Sequence, residues 1–204
     1  MDIGGDLMTQ YFISDLHFGD EFVRKIDKRP FDNLREMRET IISNWNNVVC
    51  QEDEVYILGD MFHKSIGQDE GLCILDRLNG HKFYIRGNHE EAIDNMDPRG
   101  VNRRLTILPN IASIKFNHWK IVMSHYPMIS HENSFNRLNN KTIHLYGHVH
   151  NSIGEKICST VRAEYLQADN LLYSINVGAM MKHMNYEPKT LEKLLETVIA
   201  EEGK

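Results

Sequence analysis

One pattern recurs along the chain: a run of three to five β-branched or aromatic residues that stops at a small or polar residue. The runs are Tyr11-Phe12-Ile13, Val55 to Leu58, Phe83 to Ile85, Ile121 to Met123, and Ile143 to Tyr146, the last interrupted by His144. Runs this short and this rich in strand formers predict buried strands, since a buried helix needs about ten residues or more. Between the early runs the spacing becomes helical. Leu34, Met37, Ile41, Trp45 and Val48 share one stripe with Asp32 or Asn33 as N-cap, and Leu72, Leu75 and Leu78 mark a second helix ending at Gly80. After Asn110 a hairpin is expected, Ile111 to Phe116 against Trp119 to Met123 through Asn117-His118, followed by further short strands toward Asn176. A last amphipathic helix should begin near Thr190, after Pro188, and turn Leu191, Leu194, Leu195 and Val198 inward. Together these elements predict an α/β chain with a mixed sheet system.

Composition adds bounds. At 204 residues, 41% hydrophobic and 25% charged, the chain is ordinary globular protein, which excludes disordered, collagen-like and fibrous classes. No linker or repeat divides it, so one domain over residues 1–204 is expected, with the aperiodic residues 1–7 as a frayed or non-native extension. Lys and Arg total 23 against 29 Asp and Glu, a net charge of −6, so no extended nucleic-acid surface is expected and an anionic substrate needs a local device to hold it. Cys50, Cys73 and Cys158 are an odd, widely spaced set, which argues against a disulfide framework or a thiolate zinc site. The first Lys or Arg is Arg24, and no apolar run nears the roughly 18 residues of a membrane span. The expected setting is therefore cytoplasmic, with no membrane partner. Oligomeric state has no sequence signal.

The chemistry lies where the runs stop. They end in Ser14-Asp15-Leu16-His17, Gly59-Asp60, Arg86-Gly87-Asn88-His89, Ser124-His125 and Gly147-His148-Val149-His150. In open α/β sheets, ligands gather beyond the carboxyl ends of strands, where loops converge. Asp and Asn are ordinary turn and cap residues there, but turn chemistry does not explain four histidines at the same ends. Asp15, His17, Asp60, Asn88, His125, His148 and His150 form an oxygen and nitrogen donor set that suits Mn²⁺, Zn²⁺, Fe or Ni²⁺ and disfavours an all-oxygen Ca²⁺ or Mg²⁺ cage. Seven ligands exceed one ion and match two sharing a carboxylate, at the roughly 3.5–4 Å separation of two-metal hydrolytic sites. Asp60, alone after its strand, is the candidate bridge, and two such ions would supply the missing local positive field.

In this order the five blocks, with Glu90 closing the third, resemble the calcineurin-like metallophosphoesterase superfamily. The stretch from Phe12 to Asp20, followed by Arg29-Pro30-Phe31-Asp32, is further similar to a compact bacterial and phage group within it. The resemblance implies a four-layer sandwich of two mixed β-sheets flanked by helices. It assigns Asp15, His17 and His150 to one ion, Asn88, His125 and His148 to the other, and Asp60 to both. It implies that His89 meets the substrate phosphate and protonates the leaving oxygen, while a hydroxide bridging the ions attacks phosphorus in line. Protein Ser/Thr phosphatases of the superfamily continue Gly-Asp, after two residues, with Asp-Arg-Gly, whereas this chain reads Met61-Phe62-His63-Lys64. A phosphomonoester or phosphodiester of a small molecule or nucleotide is thus favoured over a phosphoprotein. The rivals are a protein phosphatase and a non-catalytic metal-binding scaffold of the same fold; the presence of His89 and all seven ligands favours catalysis. Arg86 is expected either to reach a phosphate or to pair with an acid. His63, His131 and His183 could border the substrate, Asn176 could support the site, and His81 and His118 are expected at the surface.

Overall fold

The computed structural model describes residues 8–132, 141–167 and 173–202. The expected extension, residues 1–7, lies outside them. Strands β1 (Gln10–Ile13), β2 (Glu54–Leu58), β3 (His81–Ile85) and β4 (Leu105–Ile107) pair in parallel. A short β9 (Lys189–Thr190) adds antiparallel to β1, giving the order β4-β3-β2-β1-β9. The second sheet, β5-β6-β7-β8, contains Ile111–Phe116, Trp119–Ser124, Lys141–Tyr146 and Tyr173–Asn176. Its first pair is antiparallel and the others are parallel. Flanking helices are α1 (Glu21–Ile26), α2 (Leu34–Val48), α3 (Gln68–Arg77), α4 (Glu91–Asp94), α5 (Pro98–Asn102), α6 (Ile153–Gln167) and α7 (Leu191–Glu202). Two mixed sheets between helices make the expected four-layer α/β sandwich. No helix among the described residues is long and apolar enough to cross a membrane.

The apolar runs became strands because parallel strands covered on both faces need side chains that lose water on both sides. Phe12, Ile13, Val55, Ile57 and Leu58 join Ile121, Met123, Ile143 and Leu145 in one buried cluster, closed by Met37, Ile41, Trp45 and Leu75 of the helices. Asn33 caps α2 by accepting the Glu36 amide at 2.9 Å. The hairpin turns as expected, pairing Phe116 with Trp119 through Asn117 in the left-handed region, φ 54°. Leu191 and Leu194 of α7 are buried; the Val198 side chain lies outside those described.

Two elements differ from the sequence reading. Helix α3 stops at Arg77, Leu78 is already extended, and Gly80 (φ 83°) turns the chain into β3. Between His150 and Asn176, where only strands were expected, the chain forms the 15-residue α6. Its isoleucines Ile153 and Ile157 face solvent, 71% and 60% exposed, so no inward stripe announced it. The topology requires it: parallel β7 and β8 need a crossover long enough to return along the sheet, and a helix does this without orphaning backbone groups.

The sheets are joined at one edge. Beyond β1, the Ser14 amide donates to Val177 O at 2.9 Å and Ser14 O accepts from Ala179 N at 2.8 Å. The Ser14 hydroxyl donates to Leu58 O at 2.7 Å, and Gly147 N to His125 O at 2.9 Å. Strand ends from both sheets therefore meet in one place.

Candidate metal centre

The loops after β1, β2, β3, β6 and β7 bring all seven predicted ligands to that edge. In the first set, Nε2 of His17 and Nε2 of His150 stand 3.2 Å apart, and His150 Nε2 is 3.6 Å from Asp15 Oδ1. In the second, Asn88 Oδ1 lies 2.9 Å from His125 Nε2 and 2.7 Å from His148 Nδ1. Asp60 stands between the sets, its Oδ2 3.7 Å from His17 Nε2 and 3.5 Å from His125 Nε2. Its Oδ1 is held by the amides of Asn88 and His89, each at 2.9 Å. Donor atoms of Asp15, His17 and His150 fall within 4.8 Å of one another, and so do those of Asp15, Asp60 and His125. Asp15 thus faces both groups, a central position the sequence reading gave to Asp60 alone.

The backbone at this edge is unusual. Nine non-glycine residues among those described have positive φ, and five are predicted ligands: Asp15 (55°), His17 (50°), Asp60 (53°), His148 (69°) and His150 (47°). L-residues avoid this region, and holding one there costs on the order of 1–3 kcal/mol unless the surroundings enforce it. Here two adjacent turns brace each other, with Asp15 N donating to Gly59 O at 3.1 Å, His17 N to Asp60 O at 3.0 Å and Phe18 N to Met61 O at 2.9 Å. Close approach fixes two glycines: a Cβ at Gly87 would strike the Asp60 carboxylate, and one at Gly147 the Asp15 carboxylate.

Supporting contacts decide which nitrogen two of the four imidazoles, His125 and His150, turn inward. His125 Nδ1 donates to Leu58 O at 2.7 Å, and His150 Nδ1 to the Asp27 carboxylate at 2.9 Å. Nδ1 of buried His17 makes no hydrogen bond and lies 3.6 Å from Asp20 Oδ2. Burial alone would raise the Asp20 carboxyl, but His17 and the Val23 amide bring it down to about 2. Burial likewise opposes ionisation of Asp15 and Asp60, yet the surrounding imidazoles hold both below the usual carboxylate range. For His150, burial works against charge while Asp15 and Asp27 outweigh it and lift it to about 9. His125 is raised in the same sense, against burial, by Asp60, whereas burial and neighbouring His125 lower His148. Asp20 and Asp27 were missed in the sequence, where nothing ties Asp27 to a histidine 123 positions away.

These groups fit a divalent ion. With Nδ1 of His125 and of His150 donating outward, either imidazole in its neutral form turns an Nε2 lone pair toward Asn88 Oδ1 or His17 Nε2, electron-rich atoms at hydrogen-bonding distance, so without a metal the site favours a proton at these nitrogens and a cation can take its place. Positive charge between them removes that opposition, and mixed nitrogen and oxygen donors match borderline transition ions.

The softer candidates sort out by contact. The His89 ring is exposed, 5.6 Å from the His17 ring, and only its amide holds Asp60. Arg86 pairs with Asp94. Glu90 accepts from the Tyr84 hydroxyl at 2.8 Å and from Gly87 N at 2.7 Å, propping the Asn88 loop. Asn176 Nδ2 donates to His150 O at 3.2 Å, and His183 Nε2 lies 2.7 Å from Asn176 O. His63 contacts Ser65, His131 packs on His144, and His81 and His118 are exposed. Beside His125 opens a cavity of about 650 Å³ whose walls include Arg86, Glu90, Asp94, Asn110, Tyr126 and Met128.

The sequence profile described as calcineurin-like phosphoesterase matches residues 8–112, more than half of the chain. The chain belongs to the calcineurin-like phosphoesterase family. An uncharacterized protein of Methanocaldococcus jannaschii is 33% identical over 194 residues, covering 95% of this phosphoesterase-family chain and 92% of its relative. The gene 66 protein of Mycobacterium phage L5 is 26% identical over 169 residues, covering 71% and 78%. A solved structure of a protein of unknown function from Aquifex aeolicus shares the fold with a TM-score of 0.60 at 21% identity, covering 94% of this chain and 100% of that one. The profile spans the loops of Asp15, His17, Asp60, Asn88 and His89; the strand-end histidines His125, His148 and His150 lie beyond it.

Proposed function

We propose that this chain is a dinuclear metal-dependent phosphoesterase that hydrolyses a phosphomonoester or phosphodiester of a small molecule or nucleotide. The observation that carries this reading is Asp60 Oδ2, within 3.7 Å of His17 Nε2 and 3.5 Å of His125 Nε2, one histidine from each set. Asp15, His17 and His150 would hold one ion and Asn88, His125 and His148 the other, with Asp60 shared. Bound divalent ions, Mn²⁺, Zn²⁺, Fe or Ni²⁺, supply neutralising charge for phosphoryl oxygens and acidify water. The Asn88 and His89 amides keep Asp60 turned toward both sets. The exposed imidazole of His89 donates a proton to the leaving oxygen, as a positioned general acid. The cavity beside His125 takes the organic part of the ester; its arginine is already paired with Asp94, which suits a compact substrate better than a long polyanion.

The test is metal analysis of the purified chain together with hydrolysis of nitrophenyl phosphate, bis-nitrophenyl phosphate and a nucleotide panel. Two divalent ions per chain and metal-dependent turnover of at least one ester are expected. Turnover that survives complete metal removal, or absence of bound metal, overturns the proposal.

A further inference from the structure

The Arg29-Pro30-Phe31 segment takes no part in the reaction described above, yet Arg29 has one of the most demanding environments in the molecule. Its side chain is fully buried. Nη1 donates to Leu16 O at 2.8 Å, Nη2 to Asp15 O at 3.0 Å, and both Nε and Nη2 to Asp27 Oδ2 at 3.1 Å. The guanidinium lies 5.8 Å from the centre of the Tyr186 ring, and Phe31 packs edge-on against the same ring at 4.8 Å. Lys28, in the left-handed region at φ 52°, makes the turn between Asp27 and Arg29. Asp27 in turn receives His150 Nδ1 with both oxygens, at 2.9 and 3.0 Å.

We propose that Asp27 and Arg29 are positioning residues that build the Asp15–His17–His150 cation position by tying its two loops together. Arg29 grips the backbone of the turn that follows β1 in one sheet, while Asp27 orients the histidine that follows β7 in the other. A carboxylate accepting from Nδ1 keeps the Nε2 lone pair of His150 inward and fixes the plane of the ring. Asp27 supplies the counter-charge to the Arg29 guanidinium, and without it that buried charge is left uncompensated. The action is local, since His125 of the other set rests on the neutral carbonyl of Leu58. This inference rests on the metal reading, and its test separates the two.

Mn²⁺ binding to the full chain is titrated by calorimetry for the wild type, Asp27→Ala, Asp27→Asn and Arg29→Lys, with the thermal midpoint recorded for each. Asp27→Ala should weaken one Mn²⁺ equivalent by roughly 10–100-fold, the range for a partner behind a metal-bound histidine, and leave the other unchanged. Asp27→Asn, which retains an acceptor oxygen, should show a smaller loss in the same equivalent and carries the test if the alanine variant does not fold. Arg29→Lys should weaken that equivalent too, because an ammonium cannot span both carbonyls and the carboxylate. Unchanged affinity in folded Asp27 variants overturns the inference, as does equal weakening of both equivalents. A wild-type chain that takes up no Mn²⁺ instead overturns the metal reading itself.

Discussion

The two halves of the centre use the same kinds of donor but are braced differently. Behind His17 and His150 stand carboxylates, Asp20 at 3.6 Å and Asp27 at 2.9 Å, with His17 fully buried and His150 partly so. Behind His125 stands the Leu58 carbonyl, and the strand end is steadied by Ser124, whose hydroxyl donates to Tyr126 O at 2.6 Å and accepts from His144 Nε2 at 2.9 Å. Asn88 is exposed and His148 half-buried, on the side where the cavity opens. Under the proposed two-ion reading, a charge-braced, enclosed set suits an ion that stays, and a neutrally braced, accessible set suits one that meets solvent and substrate.

The largest effect should come from erasing the distinction. Asp60→Asn removes the carboxylate both sets face, so metal content should fall at both positions and ester hydrolysis should drop to background. Retention of two ions at wild-type affinity, measured by metal analysis after dialysis, would remove Asp60 from its shared role. Next in size is His89→Ala, which removes a ring set edge-on to His17 but none of the seven donors. Turnover should fall by roughly 10²–10⁴, the usual contribution of a general acid, with metal content unchanged. Unaltered turnover would take His89 out of the mechanism.

The contrast itself is sharpened by graded chelation. The ion of the Asn88–His125–His148 set should leave first, giving two phases in metal content against chelator concentration, and a single phase would show the two positions to be equivalent. The smallest effect concerns His144, whose burial, with a minor contribution from His131, pushes its pKa down to about 3 from 6.5. Between those values the unfolded chain binds a proton that the folded chain refuses, so stability falls as pH falls, by up to about 1.4 kcal/mol per unit. His144→Gln keeps a donor toward Ser124 and should flatten the stability slope between pH 6.5 and about 5, above the range where carboxylates titrate. Denaturant unfolding across that interval checks it, and an unchanged slope would assign the acid sensitivity elsewhere.

Much of the frame was legible because its signals are local. Each apolar run that became β1, β2, β3, β6 or β7 carries its own period and β-branched content, and Asn33 and Asn117 announce a cap and a turn by residue type. The seven donors were legible for the same reason: each follows directly on its strand. Helix α6 was not, since its exposed isoleucines break the inward stripe, and Gly80 proved to turn the chain after the helix and not to end it. Asp27 was equally silent, and Asp20 and Arg29 stood in the stretches that carry the resemblance without any role, because an acid or a base beside a turn is common and the partners of Asp27 and Arg29 come from distant loops.

The amino-acid sequence by itself determined which donors exist, their order, and that they stand at strand ends, because strand formation and chain direction are short-range properties. Only the tertiary structure decided that Asp15 as well as Asp60 stands between the sets, which nitrogen of His125 and of His150 turns inward, and which carboxylates lie behind the histidines. Those outcomes depend on how two sheets meet at one edge, and contacts across 123 residues of chain leave no local trace.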